Sequence, residues 1–341
     1  QLLQTVIMII GGATLTIIGL IEVGGYEVLK TKVPESYFSL FRSYDDPEFP
    51  WPGAIFGTLI LGFWYWNTDQ FIVQRVLASK NIDHARKGAI FSGFLKLLPI
   101  FILVFPGIIA KALFPDIASD QTYSYLLNTL LPSGIKGLVV AAFLAALMSS
   151  LASCFNTSST LFTMDIYRNM YPNANGFVLL NIGRIATLVI VLFGIIWVPF
   201  ISYISDHIWI YLQSVQAYFS PALCVVFLAG IFWKRATSTA AITVLIVGTS
   251  LGFLKFLLEV IYKSSSTGLP LMDSIIKMNF LYFSIFLFLV CIVLMVLVSL
   301  GTERSLEANI QSILVRSEVT ISKNDKLKAQ LASIVLILLL I

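Results

Sequence analysis

The sequence predicts an all-α protein that crosses a membrane many times, and three observations support this fold class. Of its 341 residues, 58% are hydrophobic and 12% are charged, whereas a soluble domain carries about 25% charged residues. The apolar runs are long and unbroken, as in 188–200 and 281–300. Within lipid only helices and closed barrels satisfy the whole backbone, and barrel strands alternate apolar and polar residues over roughly ten positions. Unbroken runs therefore favour helices.

About nine segments have the length and apolar character of spanning helices. They lie near 5–23, 52–77, 87–113, 136–167, 178–200, 207–233, 237–262, 276–301 and, in shortened form, 329–341. This pattern predicts one transmembrane domain over 1–302 with about eight spans, a cytoplasmic connection over 303–328, and the start of a final transmembrane helix over 329–341. Both ends fall in apolar sequence, and the first residues lack the features of a signal peptide. We therefore interpret the sequence as a fragment.

Basic residues fall on alternate connections between these segments. The connections 75–88 and 303–328 are rich in Lys and Arg, whereas 114–135 contains neither. Because cytoplasmic loops carry the Lys and Arg excess, we predict that the first segment begins on the cytoplasmic side and that the loop 24–51 is external. The net charge of +4 is then explained by cytoplasmic loops of a multi-pass plasma-membrane protein and not by nucleic-acid binding.

Enzyme chemistry is not indicated by any motif. The sequence has no Walker loop, no dinucleotide-binding fingerprint and no HExxH or Ser/His/Asp constellation, so we expect neither an enzyme nor an organic cofactor. The three cysteines, Cys154, Cys224 and Cys291, all lie within apolar runs. We expect them to be small buried hydrophobes and not a disulfide framework.

The fourth segment carries an unusual density of small and hydroxyl-bearing residues. They recur three and four positions apart, at Ala142, Ala145, Ala146, Ser149 and Ser153. One interpretation is close helix packing, with the hydroxyls bonded to their own helix. The other is an ion site, in which the hydroxyls of Ser149 and Ser150 and the carbonyl of Ala146 form part of a sodium shell. The absence of a carboxylate suits a weakly held monovalent ion, and the remaining oxygens must come from another helix.

The second segment is interrupted by Gly62 and by four consecutive polar residues from Asn67 to Gln70. An aromatic belt at the membrane interface is one interpretation, because Trp64, Tyr65 and Trp66 precede the polar run. A discontinuous helix that lines a cavity fits at least as well, because apolar residues resume before the next basic residue. Aromatic rings in such a cavity can stack on the apolar face of a sugar ring.

Two further polar residues lie at membrane depth. Lys96 is well inside the third segment, where a snorkelling lysine and a buried hydrogen-bonding lysine are both possible interpretations. In the sixth segment, Gln213 offers both a donor and an acceptor, which matches a neutral polyol. Pro221 follows and is expected to kink or break that helix.

These same residues carry a resemblance to a known family. The stretches WYWNTDQFIVQR at 64–75, GFLKLLP at 93–99, AALMSS at 145–150 and IFWKR at 231–235 resemble, in order and spacing, motifs of the sodium/glucose cotransporters. The resemblance implies a leucine-transporter-type core of two inverted five-helix repeats. Segment one is then the last helix of repeat one, segments two to six form repeat two, and segments seven to nine are peripheral.

The resemblance also implies roles for individual residues. Sodium coordination falls to Ala146, Ser149 and Ser150. The resemblance implies that Lys96 and Gln213 contact the sugar. It also implies that Tyr65 is the inner gate, with Trp66 beside it and Trp209 near the outer side. Two positions depart from the family pattern: Gly62 replaces a usual polar sugar contact, and Gln1 replaces a usual acidic residue.

The function implied by the resemblance is sodium-coupled transport of a glucose- or galactose-like sugar across the plasma membrane by alternating access. Its partners are the sugar, the co-transported sodium ion and the lipid bilayer. Three alternatives remain open at this point: another solute such as myo-inositol, choline or an anion; a sugar-gated sodium conductance or sensor; and a truncated product that does not transport.

Overall fold

The computed structural model describes residues 2–39, 41–204, 207–262 and 268–303. Its helices follow in chain order as α1 (Leu2–Val23), α2 (Tyr26–Lys32), α3 (Thr58–Asn67), α4 (Gln70–Leu77), α5 (Ile82–Leu95), α6 (Phe105–Leu113), α7 (Thr122–Leu130), α8 (Ser133–Leu161), α9 (Arg168–Met170), α10 (Gly176–Ile204), α11 (Ile208–Phe232), α12 (Ser238–Ile261), α13 (Pro270–Lys277) and α14 (Phe280–Gly301). Wider π-helical turns at Gly53–Gly57, Ile100–Val104 and Phe162–Tyr167 adjoin α3, α6 and α8.

The prediction of an all-α membrane protein is confirmed. Within the described ranges, the helical segments long and apolar enough to span a membrane number 7: Leu2–Val23, Ile82–Leu113, Ser133–Met170, Gly176–Pro199, Ile208–Phe232, Ser238–Ile261 and Phe280–Gly301. The predicted second segment is also helical, but it is interrupted at Thr68 and Asp69. Gln1, the connection 303–328 beyond Glu303 and the segment 329–341 lie outside the described residues.

The described residues form two compact units. The first unit contains 2–39 and 74–199, and the second contains 41–73, 200–204, 207–262 and 268–303. The prediction of a single transmembrane domain stays a prediction.

In the first unit, glycines allow α1 to approach its neighbours closely. A Cβ atom on Gly12 would lie 2.6 Å from Ile102 Cβ, and one on Gly19 would lie 2.8 Å from Ile109 Cγ2. Such distances are shorter than any ordinary carbon contact, so only glycine fits at these positions. Close approach through small residues is how helices gain packing energy in lipid, where helix burial itself has no hydrophobic driving force.

The second unit is built on α11, α12 and α14, which pack against one another around Tyr218, Val244, Leu281 and Cys291. Cys224 and Cys291 are buried as predicted, but Cys154 on α8 in the first unit is exposed, so the expectation of burial is wrong for that residue. A side chain in an apolar run is not buried by protein unless a neighbouring helix covers its face.

The turn at 41–50 is held against the start of α14 by side-chain hydrogen bonds. Asn279 Nδ2 donates to the carbonyls of Pro47 (2.7 Å) and Glu48 (2.9 Å), and the Tyr282 hydroxyl donates to Tyr44 O at 2.8 Å. Within the turn, Asp46 accepts from the backbone N–H of Phe49 at 2.8 Å. This hydrogen bond lowers the pKa of Asp46, so its stabilising contribution is present while Asp46 is ionised and is lost as the pH falls through the lowered pKa.

At Gly252, α12 lies directly against the backbone of α11. A Cβ atom there would lie 2.8 Å from the Tyr218 carbonyl carbon and still closer to its oxygen. Both partner atoms belong to the backbone, which cannot rotate away, so Gly252→Ala is expected to cost about 1–3 kcal/mol through overpacking. The expected result is a lower melting temperature of the detergent-solubilised protein.

Gly230→Ala on α11 is the matched control for this substitution. A Cβ atom at Gly230 meets nothing within 4 Å, and alanine favours a helix over glycine by about 1 kcal/mol. Equal melting temperatures for the two variants would contradict the close packing of α11 on α12.

Candidate sodium and solute sites

The predicted sodium ligands lie in one turn of α8, in the first unit. Ala146 and Ser149 are half-buried within that unit and Ser150 is exposed. The Ser149 carbonyl already accepts a hydrogen bond from Ser153 Oγ at 2.9 Å, so the hydroxyl of Ser153 is used within the helix. The three predicted ligands therefore share one turn of a continuous helix, and their assignment to sodium stays a prediction.

A contact that the sequence analysis did not identify joins α8 to α4. Gln74 Nε2 donates to Thr157 Oγ1 at 3.3 Å, and Thr157 is 8% exposed. The two residues are far apart in the chain, and neither helix pattern alone predicts their meeting. The contact joins the C-terminal part of α8, two turns beyond Ser150, to α4, which is the second half of the interrupted helix.

Lys96 lies where α5 ends, also in the first unit. Its backbone N–H donates to the carbonyls of Ser92 (3.0 Å) and Gly93 (3.1 Å), and its side chain is exposed within the unit. Pro99 follows and cannot donate a helical hydrogen bond. The chain then continues as the π-helical turn Ile100–Val104.

Two carbonyls of this π-helical turn accept hydrogen bonds from side chains on neighbouring helices. Thr16 Oγ1 on α1 lies 2.6 Å from Phe101 O, and the Tyr123 hydroxyl on α7 lies 3.3 Å from Ile102 O. Burial raises the pKa of Tyr123 to about 12, so this hydroxyl stays a donor at any physiological pH. Thr16 and Tyr123 therefore fix the break in the helix that carries Lys96.

The predicted interruption of the second segment is confirmed, and its polar residues cap the two helix ends. The Trp64 carbonyl accepts from the backbone N–H groups of Thr68 (3.0 Å) and Asp69 (3.1 Å) and from Thr68 Oγ1 (2.8 Å). Asp69 Oδ1 then accepts from the N–H of Phe71 at 3.0 Å, in the first turn of α4. These bonds satisfy backbone groups that a helix end would leave unpaired. Gly62 does not break the helix.

The predicted aromatic residues of α3 lie at this helix end, in the second unit. The rings of Tyr65 and Trp66 are perpendicular, with centroids 5.3 Å apart. Tyr65 is half-buried within the unit and Trp66 is 40% exposed. A pair of rings in this arrangement presents an apolar surface that a sugar ring can stack on.

Trp209 and Gln213 lie four residues apart on α11, so they share one face of this helix. Gln213 is half-buried within the second unit and Trp209 is 63% exposed. The helix continues from Ile208 to Phe232 through Pro221, so a break at Pro221, one of the two predicted outcomes, is not observed. Because α3 also packs on α11, Tyr65, Trp66, Trp209 and Gln213 belong to one packed pair of helices.

The fold and these residues together define a class of protein: a multi-pass helical membrane protein with an interrupted helix and polar side chains at membrane depth. Residues 1–248 match the model of the sodium:solute symporter family. This match covers more than half of the chain, and the chain belongs to the sodium:solute symporter family, a family of transporters and not of enzymes.

Curated relatives agree with this family assignment. The chain is 38% identical to the sodium/myo-inositol cotransporter 2 of Oryctolagus cuniculus over 339 residues, which covers 88% of this chain and 50% of the relative. It is 38% identical to the sodium/glucose cotransporter 4 of Danio rerio (88% and 51%) and 37% identical to the sodium/glucose cotransporter 1 of Ovis aries (88% and 52%). The chain thus spans about half the length of the curated relatives that it matches.

Proposed function

We propose that the complete polypeptide carrying this chain is a plasma-membrane symporter that couples sodium entry to uptake of a neutral polyol, either a glucose-like sugar or myo-inositol. The observation that carries this proposal is the turn of α8 with Ala146, Ser149 and Ser150, whose oxygens lie at membrane depth in a member of this family. Polar groups in a spanning helix are costly and are usually retained for a transport pathway.

Sodium is the co-transported substrate in this proposal. Neutral hydroxyl and carbonyl oxygens suit a hard monovalent cation that must bind and also leave, and no carboxylate lies in this turn of α8. Sodium binding raises the affinity for solute because sodium binds one of two conformations more tightly, which is a coupling free energy between two ligands. The membrane potential adds about 2.3 kcal/mol per charge per 100 mV to the driving force.

The solute contacts proposed are Lys96, Gln213, Tyr65, Trp66 and Trp209. The Gln213 amide both donates and accepts, and the Lys96 ammonium donates, which together suit the hydroxyls of a polyol.

We also propose the architecture implied by the family resemblance: α1 ends one repeat, α3 to α11 form the inverted second repeat, and α12 and α14 are peripheral.

Myo-inositol is one of the two substrate candidates because several relatives are named as sodium/myo-inositol cotransporters. A competition assay tests the substrate class: labelled myo-inositol uptake is measured with excess unlabelled glucose, galactose, choline or an organic anion. Inhibition by a neutral polyol alone supports the proposal. Inhibition by choline or the anion, with no effect of the polyols, would refute the substrate class.

Lys96→Ala is expected to raise the half-saturation constant for solute by about tenfold to a hundredfold, because a charged donor to a hydroxyl contributes about 1.5–3 kcal/mol. Lys111→Ala is the control, since Lys111 is a lysine near the end of the following helix whose ammonium donates to Pro115 O at 2.8 Å. An unchanged constant for Lys96→Ala would mean that this lysine only snorkels.

A further inference from the structure

A buried lysine lies within α12, outside every site described above. Lys255 is 1% exposed, and its ammonium lies 2.7 Å from Glu259 Oε1. The same nitrogen donates to the carbonyls of Ile276 (2.7 Å) and Met278 (3.3 Å) at the end of α13. An ammonium has three protons, so these three acceptors satisfy it completely.

The other oxygen of Glu259 connects this lysine to α11. Glu259 Oε2 accepts a 2.6 Å hydrogen bond from the hydroxyl of Tyr218, which is 1% exposed. A polar network therefore runs from Tyr218 on α11, through Glu259 and Lys255 on α12, to the end of α13. We call Tyr218, Lys255 and Glu259 the α12 triad.

Stability alone gives little reason for the α12 triad. Replacing a buried ion pair with apolar residues of the same size is often neutral or stabilising, because the desolvation cost of the charges is removed. An ion pair instead makes packing more specific. Its hydrogen bonds form in one relative position of the helices, whereas apolar contacts can form in several. Ionisable residues within a membrane helix usually serve the transported substrate, yet the α12 triad shares no residue with the proposed sodium and solute contacts.

We propose that the α12 triad is a positioning device for the solute-binding turn of α11, an inference that rests on the proposed role of Gln213. Tyr218 lies on the same continuous helix as Gln213, little more than one turn further along. Gly252 lets the backbone of α11 lie directly on α12 at Tyr218, so the Tyr218 hydroxyl reaches Glu259 and sets the rotation of α11. The short helix α13 is bound to the same network through Lys255.

The test uses Tyr218→Phe, which keeps the ring and its packing and removes only the hydroxyl. Losing one such bond is expected to raise the solute half-saturation constant about threefold to tenfold, with sodium half-activation and surface abundance unchanged. Tyr282→Phe is the matched control, because it also removes one tyrosine hydroxyl bond, to Tyr44 O, and is expected to change neither constant. A solute constant equal to that of the control would overturn the proposal.

Two more variants separate positioning from folding. Lys255→Met leaves the Glu259 charge without its ammonium partner and is expected to lower surface abundance. Lys255→Met with Glu259→Leu removes both charges and also the acceptor of the Tyr218 hydroxyl, and it is expected to restore abundance but to keep the raised solute constant. Full recovery of the solute constant in the double variant would overturn the positioning role and leave a structural one.

A readout that does not need transport separates this inference from the proposed function. In a Cys154→Ser background, Gln213→Cys is reacted with a membrane-impermeant methanethiosulfonate, with and without Tyr218→Phe. Positioning is expected to change the modification rate at least about threefold. Sodium-dependent uptake is measured separately, in the protein that retains Gln213 and Tyr218. A changed modification rate, in a protein that shows no such uptake, would remove the proposed function and keep the positioning role. Normal uptake with an unchanged modification rate would keep the proposed function and remove the positioning role.

Discussion

Ser149→Ala is expected to raise the sodium concentration for half-maximal uptake by about tenfold to a hundredfold, while the solute half-saturation constant at saturating sodium stays near its original value. An oxygen that contacts a charged partner contributes about 1.5–3 kcal/mol. In the proposed site the loss affects the cation directly, because the hydroxyls of Ser149 and Ser150 are two of the three oxygen ligands assigned to α8. Initial rates of uptake are measured over a range of sodium concentrations at constant ionic strength.

Ser153→Ala is the matched control for this prediction. It removes the same atom from the same helix, one turn further on, but Ser153 Oγ donates to the carbonyl of Ser149 at 2.9 Å and is not assigned to the cation. Its sodium dependence is expected to remain unchanged. Identical sodium dependence in the two variants would contradict sodium binding by Ser149. The remaining interpretation of this helix face would be close packing through small residues.

Gln213→Glu is expected to raise the solute half-saturation constant by about tenfold or more. The amide both donates and accepts, whereas an ionised carboxylate only accepts, so a solute hydroxyl that accepted from Gln213 loses its partner and faces a charge instead. Protonation restores a donor, and a glutamate has an unperturbed pKa of about 4.3. Uptake by the variant, relative to the original protein, is therefore expected to recover as the external pH is lowered.

Gln216→Glu provides the control on the same helix, three residues further along. It introduces the same charge into α11 and reveals any general effect on folding or surface abundance. Normal solute affinity in Gln213→Glu would remove this residue from the solute site. Equal losses in both variants, after correction for surface abundance, would assign the effect to the added charge and not to a solute contact.

Much of the fold follows from local sequence pattern. Segment positions depend on apolar length, and lipid leaves helices as the only solution for unbroken runs. The interruption of the second segment was also predictable, because the polar residues from Asn67 to Gln70 can satisfy the backbone of two helix ends. Its position at Thr68 and Asp69, and not at Gly62, follows from the three hydrogen bonds to the Trp64 carbonyl, which the pattern alone does not specify.

Contacts between distant residues were not predictable in this way. Lys255 and Glu259 have the spacing of an ordinary surface pair on a helix. The approach of Tyr218 and of the end of α13 joins them into a network in which the lysine is buried and the carboxylate is partly exposed. The π-helical turn after Pro99 likewise depends on Thr16 and Tyr123, which lie far away in the chain. Pro221 was expected to kink or break α11, but the helix does not break there.

The coupling of sodium to solute is tested most directly by accumulation in vesicles. The complete polypeptide is reconstituted into liposomes with an inward sodium gradient, and labelled myo-inositol and glucose are followed over time. A symporter accumulates one of these solutes above its external concentration and loses it when a sodium ionophore collapses the gradient. A sodium current that the solute activates, with no labelled solute entering the vesicles, would contradict symport and identify a solute-gated conductance.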